Sequence, residues 1–263
     1  MSSKKYYLTT TLPYVNAPPH LGFALEIIQA DVLARYHSLM GDEVFFNTGT
    51  DEHGQKIYKK AQEEGKDPQA YVDEYARKFD LLKEKSNLSY NNFIRTTDKN
   101  HIEAAQEIWK RCQQNGFIEK GIYKAKYCIG CELEKQDSEL IDGKCSIHPN
   151  LKIELIEEEN YFFKFSEFKN KLLDLYNNYP DFVVPSNRLN EIKKFVEAGL
   201  QDFSISRLKS KMPWGVPVPN DPEHVMFVWF DALTSYISAL GWPNDNKKFE
   251  EFWGTKESPN AIQ

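Results

Sequence analysis

"KKYYLTTTLPYVNAPPHLGFALE", residues 4–26, is the stretch from which the fold follows. Its first nine residues are rich in aromatic and β-branched side chains and read as a strand. Pro13, Pro18 and Pro19 stiffen the approach to what comes next. Leu21, Leu25, Ile28, Val32, Tyr36 and Leu39 then recur at helical spacing until Gly41 closes a long helix. The alternation continues: "EVFFNTGT" (43–50) is a second strand, while "DEHGQKIYKKAQEEG" (51–65) and "DPQAYVDEYARKFDLLKEK" (67–85) are helical, with Pro68 in a first turn. Such alternation predicts an α/β fold, a Rossmann-like parallel sheet with crossover helices. Ligands of these sheets bind beyond the carboxyl ends of the strands, where "TLPYVNAPPHLG" and "NTGTDEHG" both fall.

A chain of 263 residues with 41% apolar content has room for two domains and a substantial core. The opening "MSSKKYY" lacks an apolar signal region. The richest late stretch, "HVMFVWFDALTSYISALGW" (224–242), is interrupted by Asp231 and falls short of the roughly 18 apolar residues of a membrane span. The expectation is a soluble, cytoplasmic protein with no membrane partner. A net charge of -6 gives no global attraction to nucleic acid, although Arg207, Lys209 and Lys211 leave room for a local basic groove.

After Gly116 the pattern changes to short strand-like runs such as "NYFFKFSEF" (160–168), so 118–215 reads as an insertion. It separates a first half of a nucleotide-binding domain (1–117) from the start of its second half (216–263). The acidic run "EEE" at 157–159 reads as a solvated charge run, and "VMFVWF" (225–230) as a buried strand feeding the helical "DALTSYISAL" (231–240). Cys112 shares a helical face with Ile102, Ala105, Ile108 and Trp109 and reads as a small buried hydrophobe. The other three cysteines lie in "YCIGCELEKQDSELIDGKCSIHPN" (127–150), where two residues separate Cys128 from Cys131 and two more separate Cys145 from His148. Three thiolates and an imidazole at knuckle spacing suit a closed tetrahedral Zn²⁺ site with no open position, hence a structural role.

"PPHLG" (18–22) admits two compatible readings: a helix entry with His20 near the N-cap, and an anion site at a helix N-terminus. In the second, Gly22 lets a ligand approach the backbone and His20 adds a donor for triphosphate. Neither G-x-x-x-x-G-K-[ST] nor G-x-G-x-x-G occurs in the chain.

Taken together, "HLG" after a strand resembles the HIGH signature of class I aminoacyl-tRNA synthetases. "LPYVNAPPHLG", "GTDEHG", "SISR", "PWGVPVP" and "VWFDALTSYISAL", in that order, resemble the methionine-specific family of that class over nearly the whole chain. The resemblance implies an ATP-dependent ligase that joins L-methionine to ATP, with Mg²⁺, as an adenylate and passes the methionyl group to tRNA(Met). It implies that Asp51 meets the α-ammonium of methionine while Leu12, Tyr14, Trp229, Ala232 and Tyr236 enclose the thioether. It also implies that Pro13, His20, Gly22 and Glu26 meet ATP, with His20, Gly22 and Arg207 serving catalysis. For Trp229 and Tyr236 simple core packing is the alternative, and for Asp51 an N-cap role for a helix beginning near His53.

Two departures stand out. Phe23 occupies the position of the second signature histidine and offers no hydrogen bond. No KMSKS-like segment and no anticodon-binding domain occur before Gln263, so the chain reads as an N-terminal fragment expected to be inactive alone. Other class I ligases, for leucine, isoleucine, valine or cysteine, are the nearest alternative. A non-catalytic RNA-binding zinc knuckle is the more distant one, and the acidic character of "CELEKQDSELIDGKC" argues against it.

Overall fold

The computed structural model describes residues 4–128, 133–135 and 137–254. The chain divides into two compact units, one of residues 1–111 and 209–263, the other of residues 112–208.

The first unit is built on a three-stranded parallel sheet, β1 (Lys5–Thr9), β2 (Glu43–Thr50) and β3 (Asn92–Arg95), in that order. Tyr7 lies opposite Phe45, and Thr48 opposite Phe93. From Phe45 onward every residue of β2 is buried, as expected of a central strand covered on both faces. Strand alternation sends Tyr6, Leu8 and Phe46 into one core cluster and Tyr7 and Phe45 into another. The first core is closed by α1 (Leu21–Leu39), α2 (Gln55–Glu63) and α3 (Pro68–Lys85), through Phe23, Ile27, Ile57, Val72 and Phe79. Asp67 caps α3 by accepting from the amides of Gln69 and Ala70, with Pro68 at its first position. A fourth helix, α4 (Lys99–Gln114), buries Ala104, Ala105 and Trp109.

Which face of α1 is buried departs from the periodic reading. Phe23, Ile27, Ala30 and Ala34 face the core, whereas the stripe from Leu21 to Leu39 is exposed, Leu21 at 89% and Leu39 at 87%. The helix carries apolar residues on both sides, so periodicity alone does not choose between them. Asp31 marks the inner side: its carboxylate accepts from the Arg35 guanidinium at 2.6 Å and from the Ser89 amide at 2.5 Å, which ties α1 to the approach to β3. Phe23 meets Phe79 edge-on at 5.3 Å, so the position of the second signature histidine points into the core.

The second unit is an antiparallel sheet dominated by two long strands. β4 (Ile118–Cys128) runs against β8 (Glu154–Phe163) from Ile118 opposite Phe163 to Tyr127 opposite Glu154. β5 (Leu133–Glu134) lies beside β4, and between β5 and β8 in the chain comes the small hairpin β6 (Leu140–Ile141) and β7 (Lys144–Cys145). Lys124 and Glu157, paired in register, form an ion pair at 2.8 Å. The run at 157–159 is not uniformly solvated: strand alternation turns Glu158 inward, where it is buried and ion-paired with Arg207. Beyond β8 the short-strand reading gives way to two helices, α5 (Lys169–Asn178) and α6 (Ser186–Ala198), packed through Tyr176, Leu189 and Val196. The unit closes with β9 (Phe203–Ser204), beside β8, and β10 (Ser206–Leu208).

Back in the first unit, the segment read as a six-residue strand is shorter. β11 (His224–Met226) gives way at once to α7 (Val228–Ala232) and α8 (Ser235–Ser238), then α9 (Asn246–Trp253). Trp229 therefore sits on a helical turn. Among the described residues no helix is long and apolar enough to cross a membrane.

Candidate functional site

The loops that leave β1 and β2 are joined side by side. Tyr14 and Asp51 form a parallel bridge in which the Asp51 amide donates to the Pro13 carbonyl at 3.0 Å and the Val15 amide to the Asp51 carbonyl at 3.1 Å. Leu12, Pro13, Tyr14 and Asp51 are thus held together as one ledge at the carboxyl end of the sheet. Leu12 packs onto the cluster of Tyr7, Ala239 and Leu240, and Tyr7 donates its phenol proton to the Tyr236 carbonyl at 2.8 Å. The helical segment after β11 is brought to the same ledge.

Gly54 sets how closely the two loops approach. Its φ is 112°, and a Cβ there would lie 2.6 Å from the Tyr14 phenol oxygen. It is also the N-cap of α2, which begins at Gln55, so Asp51 lies ahead of the helix and does not cap it. From a third segment, Trp214 donates its indole N–H to the Glu52 carbonyl at 2.7 Å, and its own carbonyl accepts from the Gly54 amide at 3.0 Å.

The Asp51 carboxylate is the electrostatic centre of the ledge. Its Oδ1 is buried and has no hydrogen-bond partner among the described residues. Burial, reinforced by the nearby Asp231 carboxylate, pushes its pKa well above the usual range, against the opposing pull of the His53 and Glu52 amides. Tyr236 shares this field, since burial and then the Glu26 and Asp51 carboxylates raise its phenol pKa. A buried carboxylate oxygen with no hydrogen-bond partner among the described residues is costly and suits a cationic ligand group.

Around Asp51 stand groups whose importance spacing did not reveal. Glu52 is fully buried and holds Arg95 in a two-pronged pair, Oε1 to Nε at 2.7 Å and Oε2 to Nη2 at 2.9 Å, while accepting from Thr50 at 2.6 Å. Asp231, also fully buried, receives His53 Nδ1 on Oδ2 at 2.6 Å and His101 Nε2 on Oδ1 at 2.7 Å. Burial works against its charge, yet the two imidazoles hold its pKa down to about 2. The signal for Asp231 lay in plain view: an acid inside an apolar run must be either exposed or paired. Trp229, two residues earlier, is 65% exposed, and Ala232 and Tyr236 are half-buried.

At the start of α1, His20 is the N-cap, with extended backbone and its Nδ1 accepting from the Gly22 amide at 3.0 Å. A Cβ at position 22 would lie 2.8 Å from the His20 ring, so the glycine permits this fold-back. Accepting at Nδ1 leaves the imidazole proton of the neutral ring on Nε2, available to a phosphate. Glu26, one turn into α1, accepts from both the amide and the hydroxyl of Thr11, at 2.6 and 2.8 Å. Arg207 belongs to the second unit, where its guanidinium pairs with Glu158 at 3.3 Å, donates to the Tyr123 phenol at 3.0 Å and lies 4.3 Å from that ring's centre.

In the second unit Cys128, Cys145 and His148 place their ligand atoms within 4.8 Å of one another, both cysteines being buried. Cys128 Sγ lies 3.8 Å from His148 Nδ1. Tetrahedral Zn²⁺ with ordinary bond lengths separates sulfur and nitrogen ligands by about 3.6 Å, so this donor set fits such an ion. Cys131 lies outside the described residues.

A parallel sheet with a helix start beside one loop and a buried acid on the next, both at the carboxyl ends of its strands, defines a class: open α/β folds whose ligand crevices lie at those strand ends. A family model described as tRNA synthetases class I (M) matches residues 6–148 and 130–263, and the chain belongs to this family. The methionine–tRNA ligase of Thermotoga maritima is 47% identical over 252 residues, 95% of this chain and 40% of that relative. That of Thermosynechococcus vestitus is 49% identical over 244 residues, 92% of this chain and 46% of the relative. Among solved structures, methionyl-tRNA synthetase of Mycobacterium tuberculosis in complex with methionyl-adenylate aligns with a TM-score of 0.88 at 41% identity, covering 95% of this chain and 50% of that one. The apo form of the same enzyme aligns with a TM-score of 0.78 at 38% identity, covering 96% of this chain and 49% of that one. The chain spans about half the length of the curated relatives it matches.

Proposed function

We propose that this chain carries the methionine-binding ledge and one phosphate-facing helix start of a methionine–tRNA ligase. The observation that carries the reading is Asp51, whose buried, unpartnered carboxylate oxygen sits on the ledge shared with Leu12, Pro13 and Tyr14. The α-ammonium of L-methionine supplies the missing counter-charge. Its thioether suits the surrounding aromatic rings of Tyr14, Trp229 and Tyr236, with sulfur–ring contacts of about 0.3–1.5 kcal/mol each. Leu12 and Ala232 complete the apolar wall.

The methionine carboxylate then attacks the α-phosphorus of ATP and pyrophosphate leaves. The nucleophile is already ionised, so the protein needs no general base and contributes alignment and charge neutralisation. His20, through Nε2, and the amides at the start of α1 beside Gly22 face the phosphates. Pro13 and Glu26 border the nucleotide, whose phosphates carry Mg²⁺. Transfer of the methionyl group to tRNA(Met) completes the activity of the whole protein. Arg207 enters the reading only through family resemblance, since its contacts here are with Glu158 and Tyr123.

Cys128, Cys131, Cys145 and His148 would hold one Zn²⁺ that joins the β6–β7 hairpin to the end of β4. Bound there, the ion supplies folding energy. A reducing, cytoplasmic setting keeps those thiolates available. The test of the central reading is a calorimetric titration of methionine into the chain and into Asp51→Asn. Saturable binding by the parent, weakened in the variant, supports it, and equal affinities refute it.

A further inference from the structure

The helix that carries Trp229 has little to hold it in place by itself. α7 is five residues long, and Phe227 at its N-cap provides no side-chain hydrogen bond. So short a helix is not stable without tertiary support. Support comes from its inward side: Phe230 meets Trp109 of α4 edge-on at 5.4 Å, and Asp231 is buried to 0% exposure. The two oxygens of that carboxylate are divided between two imidazoles, His53 at 2.6 Å and His101 at 2.7 Å. His53 stands two residues after Asp51 on the loop leaving β2, and His101 stands on α4. The other nitrogen of His101 meets the Ser238 hydroxyl on α8 at 2.9 Å. One carboxylate thus ties together the Asp51 loop, α4, α7 and, through His101, α8.

We infer that Asp231, clamped by His53 and His101, is a positioning residue that fixes the Trp229–Ala232 wall at a set distance from Asp51 and so sets the length of side chain the pocket accepts. This rests on the methionine-pocket reading and adds to it a device for selectivity. The logic is geometric. Trp229 and Ala232 share a short helix with Asp231, so they move when its anchor moves. The anchor's other end is on the same loop as the group that holds the ammonium. The clamp therefore sets the span between the ammonium site and the wall that the side chain's end meets. A fully buried carboxylate needs such partners in any case, because without them its charge is not tolerated. Both oxygens being engaged from opposite elements also restricts rotation of the carboxylate, and with it of the helix.

The test compares the 263-residue chain with Asp231→Asn, His101→Leu, His101→Gln and Ser238→Ala by backbone hydrogen exchange and by titration with methionine and its longer homologue ethionine. In Asp231→Asn and His101→Leu, protection of the amides from Phe230 to Thr234 is expected to fall at least tenfold while that of β1 to β3 is kept. The preference for methionine over ethionine is expected to shrink at least threefold, a ratio that a general loss of stability does not move. His101→Gln, whose amide N–H reaches the same oxygen, is expected to restore most of both, and Ser238→Ala to produce a smaller change in the same direction. Unchanged protection of α7, or a change spread evenly over the sheet, overturns the inference. So does an unaltered ligand preference in a parent that binds methionine. If Asp231→Asn does not fold, the two His101 variants decide. If the parent binds no methionine, the pocket reading fails, and loss of α7 protection without loss in the sheet still decides the clamp.

Discussion

Replacing Asp51 by asparagine separates what this side chain does for a ligand from what it does to the fold. Asparagine keeps the size and the acceptor for the His53 and Glu52 amides while removing the charge. For the ligand, it removes a charge-assisted contact in a largely desolvated ledge. That is a loss of about 1.5–3 kcal/mol, or roughly 10- to 150-fold in affinity. For the fold the sign reverses. The Asp51 pKa is raised, first by burial and then by Asp231, so the folded state holds a proton that the unfolded chain releases above a pH of about 3.8. Stability of the parent therefore declines as pH climbs from there through the raised folded pKa. The carboxamide of Asp51→Asn does not titrate and escapes that decline. The two chains are expected to be alike near pH 3.8 and to diverge as pH rises. Relief of the buried, unpaired charge contributes about 1–3 kcal/mol to the variant, and each kcal/mol raises the melting midpoint by about 2–4 °C in a chain of this size. Thermal melts across pH, with methionine titrations on the same samples, provide the assay. A variant that melts below the parent at a pH of about 8, well above the unfolded carboxyl's range, or binds methionine as well as the parent, refutes the reasoning.

Methionine binding should become tighter as pH rises through the Asp51 pKa and should release a proton below it, seen as a binding enthalpy that depends on the buffer's own ionisation enthalpy. Gly54→Ala places a Cβ 2.6 Å from the Tyr14 phenol oxygen at a φ of 112°, so a loss of about 1–3 kcal/mol in stability and weaker methionine binding are expected. Arg95→Leu strands the fully buried Glu52 without its counter-charge and is expected to cost about 3–5 kcal/mol in denaturant unfolding. Protein purified without chelator should contain one zinc per chain, and Cys145→Ser should lose it, with faster proteolysis within residues 118–160 while β1 to β3 stay protected.

The sequence by itself determined the features that depend on short-range order. Alternation of strand and helix announced the parallel sheet, and the spacing of Cys128, Cys131, Cys145 and His148 announced a cluster of which the fold brings Cys128, Cys145 and His148 together, Cys131 lying outside the described residues. The order of the motifs carried the family. Tertiary structure decided the questions that turn on which side of an element is covered. α1 is apolar on two stripes, and only the sheet and α3 select Phe23 and Ile27 over Leu21 and Leu25. Glu158 lies in an acidic run whose members look alike in sequence, and strand alternation toward Arg207 singles it out. Asp231 interrupts an apolar stretch, and its two histidines come from positions 53 and 101, far away along the chain. The physical reason is common to all three. Backbone conformation is set largely by neighbouring residues, so a local pattern reveals it. Burial and charge pairing are relations between distant segments, and a lone buried charge is tolerated only once the fold has delivered its partner.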